Sequence, residues 1–224
     1  MAGKHVMILG TSSSNHLDIK NAIQKLDPTV RVNLLTEDSL IEDVLANHGP
    51  TPTIIKRMCD YAAMAQEAGA DLILNQCSSV SEVVDLYSQT VDIPVVKIDQ
   101  AMAEKAVRMG TKIALVTTNT TTVGPSRRLL ERCAKEIGKE IEVIECVVDG
   151  AMEVLFRGDV KGHNDMLRGT IENMDGKCDV IVLAQASMIA IMPEIQHVKT
   201  PVLTSIPLAA ERVVKVLHEM DEKE

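Results

Sequence analysis

The chain has 224 residues, 46% hydrophobic and 25% charged, with a formal net charge of −9. That acidity, with no run of Lys or Arg along the sequence, excludes a basic nucleic-acid-binding surface. The aromatic residues are Tyr61, Tyr87 and Phe156, with no Trp, so the core must be built from Ile, Val, Leu, Ala and Met, and few rings can stack on a base or sugar. In chain order the pattern predicts strand His5–Leu9, helix Asn15–Leu26, strand Val30–Leu35, helix Thr53–Ala68, strand Leu72–Leu74, helix Ser81–Ser88, strand Val95–Ile98 and helix Gln100–Met109. It continues with strand Lys112–Val116, helix Ser126–Ile137, strand Ile141–Val148, helix Asp159–Met174, strand Val180–Leu183, strand Val202–Thr204 and helix Ala209–Met220. Gly and Pro punctuate the joins, among them Gly110, Gly124-Pro125 and Pro201. Near-continuous Val, Ile and Leu in several strands fits parallel sheets covered on both faces, and the alternation fits right-handed crossovers.

The sequence repeats itself. Asp71-Leu-Ile-Leu-Asn-Gln-Cys77 aligns with Asp179-Val-Ile-Val-Leu-Ala-Gln185, each running from an Asp through an apolar strand into a polar turn. Pro94 to Glu104 aligns with Pro201 to Glu211, and Val6 to Thr11 aligns with Ile113 to Thr118. Three matches in order at near-constant spacing predict an α/β fold of two pseudo-symmetric lobes, each a mainly parallel sheet flanked by helices. The first lobe is residues 1–98 with the last helix, 208–224, packed back on it, and the second is residues 99–207.

Ligands of open parallel sheets bind beyond the carboxyl ends of the strands. The polar loops there are Thr11-Ser-Ser-Ser14, Asn75-Gln-Cys-Ser-Ser79, Thr117-Thr-Asn-Thr-Thr-Thr122 and Gln185-Ala-Ser187. Each precedes a helix or helical turn, whose free N–H groups suit a carboxylate or phosphate; N-capping is the competing reading for any one loop. If the repeats face each other, the loops converge on one cleft between the lobes. The candidate binding residues are Thr11, Ser12, Ser13, Asn75, Ser78, Ser79, Thr117, Thr118, Asn119, Thr120, Gln185, Ala186 and Ser187, with His48 and Thr51, in a loop after the second strand, as further possibilities. No loop is a GxGxxG or Walker-type loop, so neither a dinucleotide nor ATP is expected.

Cys77 is the residue with reactive chemistry, placed at a strand-to-helix turn where a thiol pKa is expected to fall. The five cysteines, at positions 59, 77, 133, 146 and 178, form no CxxC pair, so neither a disulfide framework nor a zinc site is indicated. Cys59, Cys133, Cys146 and Cys178 read as small core fillers. His163 reads as a helix-start residue, Glu145 and Asp149 as solvated or paired groups flanking a strand, and the acidic end Glu219–Glu224 as a solvated helix terminus. The histidines show no metal-ligand spacing. No apolar run reaches the roughly 20 residues of a membrane span and Met1–Gly10 lacks a signal-peptide pattern, so a cytoplasmic protein with no membrane or nucleic-acid partner is expected.

The duplicated halves, the hydroxyl-rich loops and Asn75-Gln-Cys-Ser-Ser79 after an apolar strand resemble the aspartate/glutamate/hydantoin racemase superfamily over essentially the whole chain. The resemblance implies a cofactor-independent enzyme, a homo-oligomer, with a substrate carboxylate held between two lobes and two cysteines acting as acid and base on opposite faces of the substrate carbon. Cys77 matches the first cysteine, and the loop around His48 matches the family's mobile substrate-proximal loop. The turn Leu183-Ala-Gln-Ala-Ser187 matches the second motif, with Gln185 where the second cysteine would stand. An amide is a poor proton donor or acceptor. The resemblance therefore implies an isomerase of the racemase type on a small carboxylic acid, an amino acid or a hydroxy or dicarboxylic acid, with Cys77 as acid/base or nucleophile. The alternatives are a single-cysteine decarboxylase of malonate type and a carboxylate-binding relative without activity. A redox-sensing thiol is a weaker reading, since no second cysteine lies close in sequence.

Overall fold

The computed structural model describes residues 3–11 and 15–222. Two four-stranded sheets carry the architecture, and every strand pair in both is parallel. The first holds β1 (His5–Gly10), β2 (Arg31–Thr36), β3 (Leu72–Asn75) and β4 (Val95–Lys97) in the order β2-β1-β3-β4. The second holds β5 (Lys112–Thr117), β6 (Glu142–Val147), β7 (Val180–Leu183) and β8 (Val202–Thr204) in the order β6-β5-β7-β8. The helices are α1 (His16–Leu26), α2 (Ser39–Ala46), α3 (Pro52–Glu67), α4 (Val84–Tyr87), α5 (Gln100–Met109), α6 (Thr120–Glu136), α7 (Ala151–Phe156), α8 (Val160–Met174) and α9 (Ser205–Asp221). Two 3-10 helices, Ser78–Val83 and Ala186–Glu194, come directly after β3 and β7. The fold class is thus α/β with two parallel sheets flanked by helices.

The chain divides into two compact units, one of residues up to Ala101 and from Ile206 onward, the other of Met102–Ser205. In the first unit, α9 is tied down by Lys4 to Asp221 at 3.2 Å and His218 to Asp27 at 3.1 Å. The central strands β1, β3 and β7 are buried at every residue, and β5 at all but its first. That burial on both faces is why their sequences read as unbroken apolar runs.

The two units repeat their bonds as well as their strand order. In the first, the Asp71 carboxylate accepts the His5 N–H at 2.6 Å, and Asp71 N–H bonds His5 O at 2.7 Å. In the second, the Asp179 carboxylate accepts the Lys112 and Thr111 N–H groups at 2.8 and 2.7 Å, and Asp179 N–H bonds Lys112 O at 2.8 Å. Each Asp locks the entry of its unit's central strand, and those N–H groups hold the Asp179 carboxyl below its ordinary range. Gly110 permits this approach, since a Cβ there would lie 2.1 Å from Asp179 Cβ.

Three readings of the sequence need correction. The reading of Gly124-Pro125 as a join is overturned, because α6 begins at Thr120 and runs through both residues. The Asn119 side chain starts it by accepting the Thr121 N–H at 2.9 Å, and Pro125, early in the helix, removes one hydrogen bond without ending it. Helices α2 and α7, eight and six residues long, were not predicted, as each carries only about two turns of apolar pattern. Glu145 lies inside β6 rather than beside it, paired with Arg127 at 2.8 Å. No helix among the described residues is long and apolar enough to cross a membrane.

Candidate active site

In the first unit, Thr11 follows β1 and Cys77 follows β3, at the carboxyl ends of neighbouring strands. The ladder is extended past the strand end by Gln76 N–H to Leu9 O at 2.9 Å, which brings the two exits together. Asn75 is fully buried. Its Nδ2 donates to Cys77 O at 3.0 Å, and its Oδ1 accepts the Tyr87 hydroxyl at 3.2 Å. One end of this amide holds the turn and the other is tied to Tyr87 of α4, so Asn75 shapes the Cys77 backbone. Tyr87 is itself buried, which pushes its phenol well above its ordinary pKa.

Cys77 has extended backbone angles, φ −108° and ψ 119°, and caps the 3-10 helix Ser78–Val83. The Thr11 and Ser79 hydroxyls at its sulfur favour the thiolate, while the Val80 N–H donates to Cys77 O at 3.3 Å and the sulfur accepts no capping bond from the 3-10 helix. Desolvation by burial outweighs the hydroxyls and pushes the thiol up from its ordinary value. This corrects the expectation of a lowered Cys77 pKa. The helical segments beyond Cys77, six residues of 3-10 helix and the four-residue α4, are too short for much dipole.

In the second unit, Gln185 occupies the matched place with matched backbone angles, φ −120° and ψ 137°, capping the 3-10 helix Ala186–Glu194. Thr118 is the counterpart of Thr11. Its N–H donates to Gln185 Oε1 at 2.6 Å and its hydroxyl at 3.1 Å. Each unit therefore sets a threonine from its first strand exit against the residue at the matched position: Thr11 on the Cys77 sulfur, Thr118 on the Gln185 carbonyl. With Oε1 taken, Gln185 presents its Nε2 amide, a donor that cannot serve as a base.

The remaining candidates divide by unit. Ser78 and Ser79 are buried in the Cys77 turn. Thr117 is fully buried at the end of β5, its Oγ1 without a hydrogen-bond partner among the described residues. Asn119 caps α6 and Thr120 is exposed at its first position, while Ala186 and Ser187 are partly buried. Ser12 and Ser13 lie outside the described residues. Thr51 caps α3, accepting the Ile54 N–H at 3.4 Å. His48 is exposed at the end of α2, with φ 55°, so its loop follows a helix rather than a strand. His163 is buried within α8. Among the described residues, no group of three or more His, Cys, Asp or Glu is arranged to hold a metal ion.

One residue of this region escaped the sequence reading. Asp99, just past β4, is 2% exposed and accepts the Ser81 hydroxyl at 2.9 Å. The signal was in the repeat: Ser78, Ser81 and Asp99 align with Ala186, Ile189 and Ile206, so one half is polar where the other is apolar.

The family model for Asp/Glu/hydantoin racemases matches residues 5–213. Among solved structures, glutamate racemase from Francisella tularensis in complex with D-glutamate superposes with a TM-score of 0.76 at 12% identity, covering 99% of this chain and 83% of that one. Aspartate racemase from Picrophilus torridus gives 0.71 at 16% identity, covering 96% and 95%. A glycine-to-cysteine mutant of arylmalonate decarboxylase gives 0.63 at 15% identity, covering 96% and 93%. At these identities the superpositions establish the fold. No curated protein matches the sequence.

Proposed function

The chain belongs to the Asp/Glu/hydantoin racemase family, and from that premise we propose that it is a cofactor-independent enzyme of isomerase type acting on a small carboxylic acid, with Cys77 as its reactive group. The observation that carries this reading is the placement of Cys77, a buried thiol just past the carboxyl end of β3, beside the exit of β1 with the Thr11 hydroxyl at its sulfur. The Thr11 hydroxyl lowers the cost of the thiolate each time Cys77 gives up its proton, while burial keeps the resting group as S–H at neutral pH. The Gln185 amide, its carbonyl held by Thr118, has only its Nε2 donor left to offer and carries no proton chemistry in this reading.

A second reading comes from Gln185 itself. Racemisation by two thiols needs a proton carrier on each face of the substrate carbon, and the amide is none. A protonated Cys77 suits a decarboxylase: loss of CO2 leaves an electron pair on the α-carbon as an enediolate, the Cys77 proton quenches it, and the thiolate takes its proton back from water. The solved structure of arylmalonate decarboxylase, of the same fold, gives this reading a precedent.

The test is incubation in D2O with a panel of amino acids, 2-hydroxy acids, unsaturated dicarboxylic acids and substituted malonic acids. Isomerase chemistry is expected to change configuration or double-bond geometry with the carbon skeleton intact. The second reading predicts CO2 release with one deuterium placed on the α-carbon in a single configuration. Absence of turnover on every class would sink both in favour of a binding protein.

A further inference from the structure

We infer that Tyr87 is a positioning residue for Cys77: its buried hydroxyl holds the Asn75 amide, and that amide pins the peptide group that follows the thiol. The inference rests on the reading of Cys77 as the reactive group.

Peptide groups are planar, so the direction in which a side chain leaves its Cα is set by the backbone planes on its two sides. Ahead of Cys77 the chain is held by the sheet. The peptide group between Asn75 and Gln76 is bonded on both sides, with Ile98 N–H to Asn75 O at 3.0 Å and Gln76 N–H to Leu9 O at 2.9 Å. Beyond Cys77 the ladder has ended, and two donors meet Cys77 O. One is the Val80 N–H at 3.3 Å, within a 3-10 helix that is itself broken at Val80, where φ is −116° and ψ 15°. The other is Asn75 Nδ2 at 3.0 Å, which reaches the turn from the last residue of β3.

The Asn75 amide can make that bond in one orientation. Cys77 O is a carbonyl and only accepts, so Nδ2 must face it and Oδ1 must face the other way. There the Tyr87 hydroxyl donates to Oδ1 at 3.2 Å. A flipped amide would set one oxygen against another at Cys77. The hydroxyl therefore selects the orientation that ties the turn down.

This polar pair is costly in its setting. Asn75 and Tyr87 are both 0% exposed, and buried amides and hydroxyls are destabilising unless bonded. Phenylalanine would fill the same ring space with no polar atom. The other half does without such a pair. It repeats the shared ties, Ala184 N–H to Val116 O at 3.0 Å and Met188 N–H to Gln185 O at 3.0 Å. Yet Leu183 stands in the place of Asn75, and Ile195 lies as far past Gln185 as Tyr87 lies past Cys77, both buried. The amide and phenol are thus what the half with the thiol adds to the common turn.

The experiment is iodoacetamide alkylation of the full chain near neutral pH, with each cysteine resolved by peptide mass spectrometry, on wild type, Tyr87→Phe, Asn75→Ala and the double variant. It needs no substrate, so a wild type without turnover would sink the functional reading and leave this measurement intact. The reagent reaches an enclosed thiol when the segment around it opens, so the rate follows how often the turn opens. Loss of one buried hydrogen bond in Tyr87→Phe is expected to speed Cys77 alkylation about fivefold. Cys59, on the same core cluster, and Cys133, buried in the second unit, are expected to keep their wild-type rates and serve as internal controls. In the Asn75→Ala background Tyr87→Phe is expected to add less than about twofold, since the amide through which it acts is gone. An unchanged Cys77 rate in Tyr87→Phe would overturn the inference. A parallel rise at Cys59 and Cys133, or a variant that does not fold, would also overturn it, because the hydroxyl would then hold the core rather than the turn. Full additivity in the double variant would do so as well, because Tyr87 would then act by another route.

Discussion

Replacing Cys77 with alanine is expected to cost about 10²–10⁴-fold in turnover on whichever carboxylic acid the protein converts, the usual worth of a positioned proton carrier. The fold should survive. Cys77 is partly buried, its backbone is held by Asn75, and alanine fits the same extended angles. A thermal melt close to that of the parent, with the activity gone, is therefore the predicted pair of results. Cys77→Ser separates acid from scaffold. A serine keeps a polar partner for the Thr11 hydroxyl, but its own hydroxyl is a far weaker acid than a thiol. Full activity in either variant would remove Cys77 from the mechanism.

The second large effect is on stability. Ile73 lies at the middle of β3, fully buried in a cluster with Met7, Leu9, Met58 and Tyr87. Its strand is flanked by β1 and β4, which cannot collapse into the space a smaller side chain leaves. Ile73→Ala is expected to lower the unfolding free energy by about 2–5 kcal/mol. For a chain of this size that corresponds to a fall in Tm on the order of 10 °C. Chemical denaturation monitored by far-UV circular dichroism measures it, and a loss below about 0.5 kcal/mol would mean the core repacks freely around β3.

The architecture was legible because the chain states it twice. Asp71 and Asp179 head matched strands, and the structure gives them the same task, clamping the entry of β1 and of β5. The Cys77 and Gln185 correspondence, visible as spacing, reappears as closely similar backbone angles and as a threonine bonded to each. What the sequence hid has specific causes. Gly124-Pro125 looks like a break, yet Asn119 starts α6 upstream and the proline falls where it costs one bond. Helices α2 and α7 are too short for a period to show.

The site was legible in its residue types and less so in their roles. Asn75 and Thr51 looked like ligand contacts, but their side chains serve a turn and a helix cap. The position of Cys77 before a helical turn suggested a lowered pKa. Desolvation reverses the sign, and only the packed structure shows how enclosed the sulfur is. Asp99 escaped because an isolated Asp between a strand and a helix looks like a cap. Its place appears once the Ser81 hydroxyl is seen to donate to its carboxyl.

The central claim, that the Cys77 thiol performs the chemistry, is tested most directly by a crystal structure grown with the acid that turns over. The reacting carbon of that acid is expected in front of the Cys77 sulfur, within roughly 3–4 Å. An acid bound away from Cys77, or one whose reacting carbon faces another titratable side chain, would contradict it.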